Sequence, residues 1–121
     1  MKSNHTVDLK IKSEEKNNIG VIIVEGEIDM LTSPGLRNKL VPYFKKKVKG
    51  IIVDLSGVLF MDSSGIATLV EGLQWSKKNN KDFILTGLGT NVLNSLSLTK
   101  LDNAFDIKTD IDGAYKILCE R

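Results

Sequence analysis

The spacing of three apolar runs constrains this chain more than any other feature. Val21-Ile22-Ile23-Val24, Ile51-Ile52-Val53-Asp54-Leu55 and Phe83-Ile84-Leu85-Thr86 are short and nearly continuous, as strands buried inside a sheet are. The segments between them are long enough to hold a helix, so consecutive strands are expected to run parallel through helical crossovers. Ahead of these runs, Val7, Leu9 and Ile11 alternate with Asp8, Lys10 and Lys12, the period-two pattern of a strand with one wet face. Asn17-Asn18-Ile19-Gly20 supplies turn chemistry, and residues 20–26 form the second arm of a hairpin. A hairpin followed by alternating helices and strands predicts one α/β domain over residues 1–121, with a mixed, mostly parallel sheet packed against helices.

The expected helices follow from caps and period. Thr32 or Ser33 caps the first, with Pro34 in its first turn, and the helix runs to about Lys47 while burying Leu36, Leu40 and Phe44. Residues 56–62 read as a loop, and a second helix starts at Ser63 or Ser64 and ends near Lys78. A short helix is expected over 92–98 and a small strand over 105–107. A last helix, capped by Asp110, buries Ile111, Ala114, Tyr115 and Leu118.

Composition removes several function classes. Seventeen basic and fifteen acidic residues leave a net charge of +2, too little to argue for a polyanionic partner. The one basic cluster, Lys45-Lys46-Lys47 with Lys49, falls at a helix end, where the helix dipole accounts for it; neither nucleic acid nor a membrane is expected as a partner. The lone Cys119 excludes an internal disulfide, fits a reducing compartment and reads as a half-buried structural thiol. The polar start of the chain does not resemble a signal peptide, and the apolar runs are too short to span a bilayer, so a cytoplasmic location is expected. One His, one Cys and scattered carboxylates predict no metal site, and Gly87-Leu88-Gly89 lacks the third glycine of a dinucleotide loop, so no cofactor is expected. No catalytic residue is expected either: His5 is the only imidazole that could activate a serine, and it lies near the start of the chain.

Functional groups in open α/β sheets gather beyond the carboxyl ends of the strands. Two segments fall there, Gly26-Glu27-Ile28-Asp29 and Phe60-Met61-Asp62-Ser63-Ser64-Gly65. A helix N-cap alone accounts for an Asp or a Ser at the second. Helix phase separates the two serines. With Ile66, Leu69, Val70 and Leu73 as the buried stripe, Ser63 falls roughly 70° and Ser64 roughly 170° from its centre, so Ser64 is expected to face solvent. The same phase puts Ser64, Thr68, Glu71 and Trp75 on one outward line. Trp75 there either folds over a neighbouring loop or anchors a partner surface that begins at Ser64.

Taken together, Gly26-Glu27-Ile28-Asp29 after an apolar strand, Asp62-Ser63-Ser64-Gly65 after another, and Leu96-Ser97-Leu98-Thr99-Lys100-Leu101 before Phe105 resemble the STAS-domain anti-sigma factor antagonists. The resemblance runs from about Val7 to Leu118. It implies a binding switch in transcriptional control of stress or sporulation, not an enzyme. The unmodified form would bind an anti-sigma factor that is also a serine kinase, phosphorylation of Ser64 would end that binding, and a serine phosphatase would restore it. Asp29, Asp62, Ser63 and Gly65 would shape the site, and the partner surface would extend to Thr68 and Trp75. STAS domains in other partner-switching, transporter-associated or lipid-transport systems share the fold and are the alternative. A phosphorelay receiver using Asp54 is a further rival, but the opening hairpin and the missing acidic pair after the first strand oppose it.

Overall fold

The computed structural model describes residues 9–121, so Val7 and His5 lie outside the described residues. The element order is β1 (Lys10–Lys16), β2 (Ile19–Ile28), α1 (Ser33–Phe44), β3 (Gly50–Met61), α2 (Ser63–Asn79), β4 (Asp82–Thr86), α3 (Thr90–Leu98), β5 (Asp106–Lys108) and α4 (Ile111–Cys119). Strand order in the sheet is β1-β2-β3-β4-β5. The β1–β2 pair is antiparallel and every later pair is parallel, as the apolar runs require. Asn17 and Asn18, with φ of 53° and 63°, turn the hairpin between the paired Lys16 and Ile19; asparagine tolerates this left-handed region better than most residues.

Helices α1, α2 and α3 pack on one face of the sheet, where Ile22, Leu36, Leu40, Ile51, Leu69 and Leu96 are buried. Alternate residues of the same strands, among them Ile19, Ile52 and Ile84, point the other way onto Ala114 and Leu118 of α4. That two-sided burial explains why the strand sequences read as continuous apolar runs. Helix α1 ends at Phe44, short of the expected Lys47. The Lys45 amide turns back to the Pro42 carbonyl at 3.2 Å, and Pro42 has already removed one helical donor. No helix among the described residues is long and apolar enough to cross a membrane.

The largest departure from expectation is at the ends of β2 and β3. Residues 56–62 were expected to form a loop, yet β3 continues to Met61 and β2 to Ile28. Two register shifts, between Ile23 and Glu25 and between Gly26 and Glu27, each give β3 one more residue than β2 opposite them. Gly57 permits the close approach, since a Cβ there would come within 2.7 Å of the Glu25 Cγ and 3.2 Å of the Val24 carbonyl oxygen. These irregularities hide the strand from a period-two reading. They also carry both strands outward, so that Asp29 and Asp62 leave the sheet side by side.

Candidate functional site

The Asp62 amide donates to the Ile28 carbonyl at 3.0 Å, tying the start of α2 to the end of β2. Asp62 is the N-cap of α2, with Oδ1 accepting the Ser64 amide at 2.9 Å and the Gly65 amide at 3.4 Å. The same oxygen accepts the Ser64 hydroxyl at 2.6 Å. These donors hold the Asp62 carboxyl below its usual range: the Ser64 hydroxyl has the largest effect, desolvation comes second and opposes it, and the Ser64 and Gly65 amides add smaller lowering effects.

Asp29 organises the adjacent turn. Its Oδ1 accepts the Leu31 amide at 2.9 Å and the Thr32 amide at 3.0 Å. The Thr32 hydroxyl accepts the Asp29 amide at 2.9 Å and donates to the Glu27 carbonyl at 2.8 Å. Asp29 thus fixes the path of residues 29–32 from within, and the pairing of Ile28 with Met61 brings the start of that turn beside Asp62.

The serines are exposed in the opposite sense to the helix-phase expectation: Ser63 faces solvent and Ser64 is half-buried. The reason lies in two glycines. Gly65, Leu69, Gly72 and Ser76 form the line of α2 that meets the sheet. A Cβ on Gly65 would lie 2.5 Å from the Met61 Cγ, and one on Gly72 would lie 2.3 Å from the Phe83 ring. A stripe chosen from large apolar residues misses this line, and the true buried face is turned by roughly 90°, which puts Ser63 roughly 160° and Ser64 roughly 100° from its centre.

The same rotation corrects the expected outward line through Thr68 and Trp75. Thr68 is buried, its hydroxyl donating to the Ser64 carbonyl at 3.1 Å. Trp75 is 8% exposed, stacks on Phe44 with ring centroids 5.3 Å apart, and donates Nε1–H to the Phe44 carbonyl at 3.0 Å. It ties α2 to the end of α1 and is not available as an anchor for a partner. Gly65 is likewise a packing residue.

Other residues weighed from sequence also find their places. Asp54 is buried, and its two carboxylate oxygens accept the Ser56 hydroxyl at 2.6 Å and the Thr86 hydroxyl at 2.8 Å, a cross-strand tie between β3 and β4. Cys119 is exposed, not half-buried as expected: α4 turns it away from the contact that Ala114 and Leu118 make with the sheet.

Sequence reasoning passed over Met30, Leu31 and Leu59, and named Phe60 without giving it a role. Met30, Leu31, Leu59 and Phe60 are large, apolar and exposed. The available signal was two pairs of adjacent apolar residues in stretches that carry no strand or helix period. The resulting arrangement can present a seryl hydroxyl, held by Asp62 beside the Asp29 turn, to another protein.

The chain is similar to known proteins over most of its length. The STAS domain family model matches residues 10–114. An anti-sigma-B factor antagonist of Bacillus subtilis is 32% identical over 113 residues, spanning 93% of this chain and 99% of the relative. One from Listeria monocytogenes is 28% identical over 107 residues, spanning 88% of this chain and 92% of its own length. The crystal structure of an anti-sigma factor antagonist from Mycobacterium paratuberculosis superposes with a TM-score of 0.82 at 26% identity, covering 91% of this chain and 93% of that one.

Proposed function

Because the chain belongs to the STAS domain family, we propose that it is an anti-sigma factor antagonist whose partner binding is switched by phosphorylation of Ser64. The observation that carries this reading is the Ser64 hydroxyl, held by Asp62 in the first turn of α2 and beside the Asp29 turn. Unmodified, the protein binds a cytoplasmic anti-sigma factor that is also a serine kinase, and the sigma factor is released. The kinase then moves the γ-phosphoryl group of ATP to Ser64. The Oγ–P bond forms, the bond from phosphorus to the β-phosphate oxygen breaks, ADP leaves, and the hydroxyl loses its proton. A serine phosphatase hydrolyses the ester and resets the switch.

The electrostatics fit such a switch. A phosphoryl group adds about −1.5 to −2 charges at pH 7. The free amides and dipole at the start of α2 tolerate that charge, so the domain stays folded. The charge also replaces the donor that Asp62 now holds, and it joins Asp62 and Asp29 on the surface the partner would cover. Burying this unbalanced negative cluster in an interface is what ends binding.

The test compares the unmodified protein with Ser64→Asp as bait in extract of the source cells. An anti-sigma factor kinase should be recovered on the first and lost on the second, and it should label Ser64 from ATP. Equal recovery on both forms, or undiminished labelling of Ser64→Ala, overturns the reading.

A further inference from the structure

We propose that Ser95 of α3, supported by Asn91, is a positioning residue of the Ser64 site, because it holds the peptide group from which Asp62 leaves β3. β4 pairs with β3 only from Gly50 to Asp54. Beyond Asp54, β3 runs on to Met61 with no strand on that side among the described residues, and α3 lies there instead. The Asn91 side-chain amide donates to the Leu59 carbonyl at 3.3 Å, and the Ser95 hydroxyl donates to the Met61 carbonyl at 3.2 Å. Four residues of helix rise about 6 Å and two residues of strand about 6.6 Å, so the two spacings match. The helix thus stands in for a missing neighbour strand and satisfies carbonyls that β4 is too short to reach.

The Ser95 hydroxyl also lies 3.1 Å from the Asn91 carbonyl, the ordinary back-bond of a helical serine, and shares its one proton between the two acceptors. What gives the Met61 contact a further role is the other end of the same peptide group. The Asp62 amide donates to the Ile28 carbonyl of β2 at 3.0 Å. The Met61–Asp62 peptide is therefore held by α3 at its oxygen and by β2 at its nitrogen. A planar unit gripped at both ends fixes the direction in which Asp62 leaves the strand. Asp62 then accepts the Ser64 amide and hydroxyl on one oxygen. Without Ser95 the peptide is free to tilt about its bond to Ile28, and the carboxylate moves off its donors. The bearing on phosphorylation rests on the switch reading above; the hold on Asp62 stands on geometry alone.

NMR tests that hold on the protein by itself, through the pH titration of the Asp62 carboxyl and the hydrogen exchange of the Ser64 amide. The samples are wild type, Ser95→Ala, Ser95→Thr and Ser97→Ala; Ser97, in the same helix, donates to Asp102 instead. Alanine is the better helix former, so weakening of α3 itself does not account for an effect of Ser95→Ala. In that variant the Asp62 pKa, held low chiefly by the Ser64 hydroxyl, should rise toward the ordinary carboxylate range. The Ser64 amide should exchange about threefold faster or more, the scale of one hydrogen bond. Ser95→Thr, which keeps the hydroxyl, and Ser97→Ala should match wild type. With the kinase recovered on the unmodified protein, Ser95→Ala should lower kcat for Ser64 labelling about threefold or more at unchanged KM, because only the alignment of the hydroxyl is lost. A Ser95→Ala protein that titrates and exchanges like wild type overturns the positioning role, as does a Ser97→Ala protein that shifts Asp62 equally. An NMR response with wild-type kcat overturns the bearing on phosphorylation. A wild type whose Ser64 takes no label overturns the switch reading, while the titration still decides whether Ser95 holds Asp62.

Discussion

The Ser64 hydroxyl and its own amide both donate to a single oxygen of Asp62, at 2.6 Å and 2.9 Å. One carboxylate therefore both starts helix α2 and holds the hydroxyl that the switch would modify. Stability and regulation meet at this residue, and substitutions there can separate the two roles.

Asp62→Ala should destabilise the protein by about 0.5–2 kcal/mol at pH 7, the usual cost of losing an N-cap, while Asp62→Asn should cost less. The folded-state pKa of Asp62 is lowered, so its contribution is complete above the unfolded value, about pH 4, and fades as pH falls through the folded value. Urea unfolding at pH 7 and pH 3 should therefore show the Asp62→Ala deficit shrinking in acid. A deficit that stays constant or grows as pH falls contradicts the hydrogen-bonded carboxylate.

Phosphorylation should add one phosphate, on Ser64. Ser63 is the more exposed of the pair, so exposure alone would favour the other residue. Phosphopeptide mapping of wild type, Ser63→Ala and Ser64→Ala decides between them. Label should persist in the first variant and vanish in the second.

Ser64→Asp should fold normally. It places a second carboxylate near Asp62 but also at a helix N-terminus, and exposed charge–dipole effects are worth about 0.3–1 kcal/mol. Kinase affinity should fall by about 2–5 kcal/mol, because the extra charge is buried unpaired in the interface. Thermal melts and titration calorimetry on the same sample test both halves. A variant that melts far below wild type, or binds as well, breaks the account.

The fluorescence of Trp75, the only tryptophan, should be blue-shifted and resistant to quenchers in the free protein and should change little when a partner binds. Trp75→Phe keeps most of the packing but leaves the Phe44 carbonyl without its indole donor, a loss of about 1–3 kcal/mol by denaturant unfolding. Its affinity for the partner should remain that of wild type. Quenching of Trp75 in the free protein at the rate of an exposed indole would contradict the buried placement.

Gly72→Ala probes the glycine line that sets the roll of α2. The added Cβ would meet the Phe83 ring at 2.3 Å, so α2 must shift from the sheet or the ring must move. Overpacking of this kind costs about 1–3 kcal/mol, enough to lower the melting temperature measurably. No change in stability would mean that α2 does not rest on this glycine.

The order of elements, the antiparallel hairpin, the parallel sheet and the Asp110 cap were legible in the residues themselves, and the cap of α2 was narrowed to an Asp or a Ser. Period, turn chemistry and cap preference are local, and each acts within a few neighbours along the chain. The lengths of β2 and β3 were not legible, because a register shift is a property of two strands together and depends on Gly57 approaching Glu25. The roll of α2 was not legible either. Gly65 and Gly72 carry no apolar side chain to mark a face, yet their lack of a Cβ is what lets the helix back approach the sheet. Which serine faces solvent and whether Trp75 faces in or out both follow from that contact. The sequence by itself determined the elements and the Asp-Ser-Ser-Gly segment that starts α2. Only the tertiary structure decided which of their atoms face a partner, since the roll of a helix is set by close packing against a surface far away in the chain.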